Sequence, residues 1–222
     1  DWPEPTSVAA DQNTTKPLPE LDAWAHTHAP APTPIRTSLS PSDLGGAKAL
    51  PGDQGLDEEA AKARGSRLHL LLEHLPGRSE GDWPELAKNL LQDAEDSGEL
   101  LAEASAVLKN ADLIHIFKPD TLAEVPITAD LHGSRLHGVI DRLIVTPEKV
   151  LAVDFKSNAT VPETPEKCPE GLLRQMGAYA HALAQVYPDH AIETALLWTC
   201  NATLMHLPHE PVTGALLRRM EP

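Results

Sequence analysis

The 222 residues suffice for one domain with a sizeable core plus a tail. With 18 basic against 33 acidic side chains and a net charge of −15, the chain falls outside the class that holds nucleic acid by charge alone, because phosphate contacts dominate such affinity. No apolar run reaches about 18 residues and no basic start leads into an apolar stretch, so neither a membrane span nor a signal peptide is expected; two cysteines are too few for a disulfide scaffold.

Residues 1–40 place prolines at 3, 5, 17, 19, 30, 32 and 34 among Ala, Thr and Asp, a composition that favours an extended linker. Such a linker at the very start reads as an interdomain connection and the chain as a fragment of a longer protein, with one domain over 41–222. Pro41, Ser42, Asp43 and Leu44 predict a short helix or turn, followed by the flexible pair Gly45-Gly46 and a polar loop to 56.

The spacing then predicts a helix over 57–75. Ala61, Leu68, Leu71, Leu72 and Leu75 make one apolar stripe, and Asp57, Glu58 and Glu59 suit the positive N-terminal end. His69 lies beside that stripe. Gly65 costs about 1 kcal/mol relative to alanine inside a helix and so predicts close approach by another backbone. Residues 82–117 predict further helix, with Pro84 near a first turn and Leu86, Leu90, Leu91, Leu100, Leu101, Val107 and Leu108 apolar, forming a cap over a sheet.

Strands are predicted at 121–129, 134–145 and 150–156. The last two flank Thr146, Pro147, Glu148 and Lys149, which read as the turn of a hairpin. If Val145 faces Val150, Asp141 faces Asp154. Directly opposed residues project from the same face with Cβ atoms roughly 5 Å apart, so the two carboxylates share one small volume, with Lys156 on the same face. At an effective dielectric near 20 they repel by roughly 3 kcal/mol, which calls for a positive charge between them. A hard divalent cation suits such oxygen ligands. The alternative is a surface lattice in which Arg142 and Lys156 neutralise two ordinary aspartates, since a register slip of one residue separates the pair. A Pro- and Glu-rich loop over 159–170 follows, then a helix over 171–187 ended by Pro188, with Gln175 and Tyr179 on one face, and strand-like runs at 191–199 and 203–207 complete an α/β order.

The segment GVID, the strand VLAVDFKSN with Asp154-Phe155-Lys156, the stretch GSRLHLLLE at 65–73 and QMGAY at 175–179 together resemble the PD-(D/E)XK nuclease motif in its RecB-like form. LSPSDL at 39–44 and AEVPIT at 123–128 are similar to the C-terminal nuclease region of AddA-type helicase-nuclease subunits, so the resemblance covers roughly 40–222. It implies a restriction-endonuclease-like fold: a central mixed sheet flanked by helices, with the helical cap and the N-terminal linker. It also implies Mg²⁺, with Mn²⁺ as a substitute, held by His69, Asp141, Asp154 and the Phe155 carbonyl. Asp141, Asp154 and Lys156 are then catalytic, Lys156 orienting or helping to deprotonate the attacking water, while Glu124, Gln175 and Tyr179 support the site or contact the substrate.

By the same resemblance the chemistry is exonucleolytic hydrolysis of DNA single strands unwound from duplex ends, in double-strand break repair by recombination. The implied partners are helicase domains of the same polypeptide and an AddB-type subunit, in the cytoplasm and not at a membrane. No G-x-x-x-x-G-K-[ST] loop occurs, so these residues hydrolyse no ATP, and two cysteines cannot supply the four that hold an iron-sulfur cluster in some relatives. The acidic balance is reconciled by a local patch of Arg64, Arg67, Arg135, Arg142 and Lys156, with weak DNA binding by the domain alone. Two other readings stand beside this one: a catalytically inactive nuclease-like module that docks or guides DNA in a repair complex, and a standalone RecB-like exonuclease.

Overall fold

A computed structural model of the chain describes residues 22, 38–48, 58–92 and 94–220. Most of the expected linker and the loop 49–57 lie outside them. A short strand, β1 (Ser38–Leu39), stands at the end of the expected linker and belongs to the sheet.

Leu68, Leu71 and Leu72 of helix α1 (Glu58–His74) and Leu75 just after it are completely buried, each worth about 1.5–3 kcal/mol of apolar transfer, whereas Ala61 of the expected stripe is exposed. The helix expected over 82–117 is broken. Helix α2 (Trp83–Leu91) stops where Gln92 takes a left-handed conformation at φ 51°, and helix α3 (Ser97–Lys109) is followed by a short 3-10 helix at Ile114–Phe117. These elements form the cap over one face of the sheet, joined in one apolar cluster to Leu151, Val153 and Phe155.

Strands β2 (Leu122–Leu131) and β3 (Ser134–Val145) are antiparallel, joined by His132 and Gly133, both at positive φ as a two-residue hairpin turn demands. Strand β4 (Lys149–Lys156) returns along β3 in the expected register, Val145 facing Val150, through a turn closed by hydrogen bonds between Thr146 and Lys149. Helix α4 (Glu170–Val186) crosses to strand β5 (Ala191–Trp198), parallel to β4, and strand β6 (Thr203–Leu207) pairs antiparallel with β5. The result is a six-stranded mixed sheet with helices on both faces, as anticipated.

A final helix, α5 (His209–Met220), was not anticipated; it packs on α4 over the second face, where Val212, Ala215 and Leu216 are buried. The two helices meet at Gly177, whose missing Cβ leaves room for the Val212 carbonyl. Gly177→Ala therefore overpacks a backbone contact and costs about 1–3 kcal/mol, lowering the Tm by roughly 5 °C, whereas Gly98→Ala, with nothing within 4 Å, leaves the Tm unchanged or higher. Thermal unfolding of the two variants checks both signs.

Candidate active site

Regular strands alternate faces, yet Ile140 and Leu143, three residues apart in β3, belong to the same apolar cluster beneath α4. The alternation therefore breaks at Asp141 and Arg142. The opposite residue of β2, Glu124, sits at φ 48°, which carries the same break across the pair. The β3–β4 ladder ends at Arg142 facing Val153, and beyond it the strands part. This corrects the expectation that Asp141 and Asp154 share one face. Asp141 turns toward α1, while Asp154 keeps the alternation of Val150 and Ala152 and turns toward α4.

On the α1 side, Asp141, 7% exposed, accepts the Phe155 N–H through Oδ2 at 2.5 Å and lies 3.5 Å from His69 Nδ1 through Oδ1. The other ring nitrogen of His69, Nε2, sits 3.2 Å from the Phe155 carbonyl; a carbonyl only accepts, so Nε2 carries the proton. Burial, the largest influence on His69, disfavours its cation, but the hydrogen bond and charge of Asp141 and the charge of Asp154 outweigh it and raise the pKa. Ligand atoms of His69, Glu124 and Asp141 fall within 4.8 Å of one another. Glu124 is thus nearer the candidate metal centre than a merely supporting position requires. Its carboxyl is pushed up by burial first, then by the charges of Asp141 and Glu73.

On the α4 side, Asp154 is 2% exposed. Gln175 Nε2 donates to its Oδ1 at 2.6 Å, and Lys156 Nζ lies 2.6 Å from Oδ2 as a charge contact without hydrogen-bond alignment. Lys156 also donates to Gln175 Oε1 at 3.3 Å, so one amide holds both members of the acid-lysine pair. Gln175 Nε2 lies 3.4 Å from the Tyr179 hydroxyl, which donates to the Val139 carbonyl at 2.6 Å and so anchors the amide to β3. The expected face of α4 is the one that meets the site. Burial raises the Asp154 pKa above 3.8 and the charge of Asp141 adds to it, against the opposing effect of Lys156.

Several residues near the site had no sequence signal. The Thr199 hydroxyl lies 3.1 Å from the Lys156 carbonyl and 2.6 Å from Glu103, which pairs with Arg64, so α1, α3 and β4 are tied behind the lysine. Lys48 donates to the Ser42 carbonyl. Gly65 accommodates the Ser157 hydroxyl at 3.2 Å from where its Cβ would stand, so the expected close neighbour is a side chain and not a backbone. The expected basic patch does not form. Arg67 pairs with Asp96 at 2.5 Å, Arg135 with Asp130 at 4.0 Å and Lys156 with Asp154, while Arg142 is buried, donates to the Leu72 carbonyl at 2.9 Å and lies over the Phe117 ring. Each charge is already engaged within the fold.

Asp141, Glu124 and His69, whose ligand atoms fall within 4.8 Å of one another, make a donor set that fits a hard divalent cation, while Asp154 is ion-paired with Lys156 beside them. Fold and fork together define a nuclease class in which paired strands carry the acids and the lysine. The family model of the PD-(D/E)XK nuclease superfamily matches residues 44–215, and the chain belongs to that superfamily. Among solved structures it is similar to the "Putative exonuclease" of Eubacterium rectale at 13% identity and a TM-score of 0.49, covering 74% of this chain and 65% of that one, so it spans just under two thirds of that protein's length. A second similar structure is that of SSO0001, at 11% identity and a TM-score of 0.36, covering 86% of this chain and 78% of that one. No curated protein matches. Among the described residues no helix is long and apolar enough to cross a membrane.

A carboxyl whose folded pKa lies above 3.8 binds its proton more tightly folded than unfolded, so Asp154 costs stability as pH rises above 3.8 toward and past the raised value. Asp154→Asn keeps the shape and removes that cost. In chelator, the Tm of Asp154→Asn relative to wild type is expected to climb as pH rises above about 4 and to level off past the raised value; a difference that stays flat contradicts the raised pKa of the buried carboxylate.

Proposed function

We propose that this chain is the metal-dependent deoxyribonuclease domain of a helicase-nuclease, cutting DNA single strands exonucleolytically in the cytoplasm as duplex ends are unwound during recombinational repair. The helicase domains then lie elsewhere in the same polypeptide and an AddB-type subunit is the partner. The observation that carries the reading is the strand fork, where His69 and Asp141 face a closed ring of Asp154, Lys156 and Gln175.

His69, Asp141, Asp154 and the Phe155 carbonyl would hold Mg²⁺ or Mn²⁺, with Glu124 beside them. When bound, such an ion polarises a phosphate oxygen and lowers the pKa of a coordinated water. The chain's own groups do the rest. Lys156, mostly buried and fixed by Asp154 and Gln175, presents one ammonium toward the fork, where it orients or helps deprotonate the attacking water and offsets negative charge developing on the phosphate. Asp141, oriented by the Phe155 N–H, keeps its other oxygen toward the imidazole. Tyr179 keeps its proton, because burial and the charge of Asp154 raise its pKa, and serves as a fixed donor to the Val139 carbonyl.

The pairing of Arg64, Arg67 and Arg135 with carboxylates favours a second reading, a nuclease-like docking module with no turnover. Incubating labelled single-stranded DNA with the chain separates the two. The first reading expects cleavage in Mg²⁺, none in chelator, and a loss of about two to four orders of magnitude in Asp154→Ala and Lys156→Ala with the fold intact. Undiminished cutting by either variant refutes the assignment, and inactivity even with the motor and partner present supports the docking module.

Because Asp141 favours a second proton on His69 at Nδ1, the nitrogen left to ligate a cation, cation and proton compete for that atom. Mn²⁺ affinity by calorimetry is expected to fall as pH drops through the raised His69 value, with proton release on binding, and both effects are expected to shrink in His69→Ala, leaving the part owed to the raised carboxyls of Asp154 and Glu124.

A further inference from the structure

A cavity of about 500 Å³ opens at the edge of β3, lined by residues 40–42, 126–128 and 137–139 and by Tyr179. It is built around a gap in the sheet. β1 covers the β3 edge only at Arg135 and Leu136, and β4 rejoins that strand only from Arg142 onward. Between them Gly138 lets Pro41 and Tyr179 close in; a Cβ there would stand 2.7 Å from the Pro41 ring. Two of its lining residues lead toward the fork. Val139, 44% exposed, is two residues before Asp141 in β3, and Tyr179 is hydrogen-bonded to Gln175, which holds Asp154 and Lys156.

A third link is cationic. Lys48 is anchored by its ammonium to the carbonyl of Ser42 in the cavity wall, and its segment is pinned to the start of α4, where Gly171 N–H donates to the Ala47 carbonyl at 2.9 Å and a Cβ on Gly46 would stand 2.8 Å from that nitrogen. Burial and the charge of Lys156 lower the Lys48 pKa, and the charges of Asp43 and Asp154 oppose them. The hydroxyls of Ser40 and Ser42 bond each other and that of Thr128 bonds His137 Nδ1, each keeping a lone pair for a base edge of either kind, while Pro41, Val139 and Ile127 offer apolar contact.

We propose that this cavity takes the nucleotide adjoining the scissile phosphate of a single DNA strand, without regard to base, and that Lys48 contacts the phosphate next to it. The inference rests on the nuclease reading above and adds where the strand lies. Lys48, exposed but bonded to the cavity-lining Ser42, then supplies one cation to an anionic strand on an otherwise acidic domain.

The test uses the 222-residue chain and oligothymidylate carrying one 4-thiothymidine, irradiated in Ca²⁺ so that the strand stays whole. Crosslinks mapped by mass spectrometry are expected in 40–42, 126–128 or 137–139; crosslinks confined to other segments, or none at all, overturn the proposal. In cleavage assays Lys48→Glu is expected to raise the KM for a 20-residue oligonucleotide about tenfold or more with a smaller change in kcat, and Lys48→Arg to restore it. An unchanged KM in Lys48→Glu removes Lys48 from the strand path. A chain that crosslinks through the cavity but cuts nothing with motor and partner present sinks the nuclease reading and leaves the binding site standing, whereas cutting with crosslinks elsewhere does the reverse.

Discussion

The parting of β3 and β4 just past Arg142 and Val153 is the constraint on which the candidate site depends. While the strands stay paired, their facing side chains lie on a common surface and no concave volume exists between them. Where they part, Asp141 swings toward the cap helices, Asp154 stays with α4, and the backbone of Phe155 is free to satisfy both neighbours: its N–H goes to Asp141 and its carbonyl to His69. A main-chain unit inside a sheet ordinarily spends both groups on adjacent strands. Phe155 is released on one side because β3 has left it, and β5 keeps pairing it on the other.

Two clusters of apolar side chains, one per face, hold the fork open from either side. Leu68, Leu71 and Leu72 press α1 onto β4 and β5, and Met176, Leu172 and Leu183 press α4 onto the opposite face. Their burial sets the positions of His69 and Gln175, which are otherwise partly polar intrusions into helix faces. Arg142 reinforces the first of these clamps, its guanidinium bonded to the end of α1 and stacked on Phe117.

Much of this was legible in the sequence. The turn Thr146 to Lys149 between two apolar runs set the register, and pattern and resemblance singled out Asp141, Asp154, Lys156, Gln175 and His69, which the structure links in two contact groups. The face change at Asp141 was not legible, because it depends on a left-handed Glu124, and glutamate carries no mark of that conformation as glycine does. Gln92 hid the break between α2 and α3 for the same reason. The basic patch failed because spacing along the chain says nothing about which carboxylates fold against each arginine. Glu103, 39 residues from Arg64, is invisible to any local rule. Helix α5 has its apolar residues at Val212, Ala215 and Leu216, a stripe too short to stand out from a terminal segment.

The same irregularity that shapes the fork also settles the fate of the sheet's margin. Among the described residues β2 pairs with no strand but β3, and of its outer rim Asp130 is covered by Gln185 and His181 of α4. Pro126 has no N–H to offer along that rim, and the reversed twist at Glu124 interrupts the row of acceptors two positions away. At the far margin, β6 is only five residues long. Neither border presents a long straight ladder on which another copy could template, so a chain with a partly uncovered sheet edge is protected from stacking into fibrils by the backbone itself.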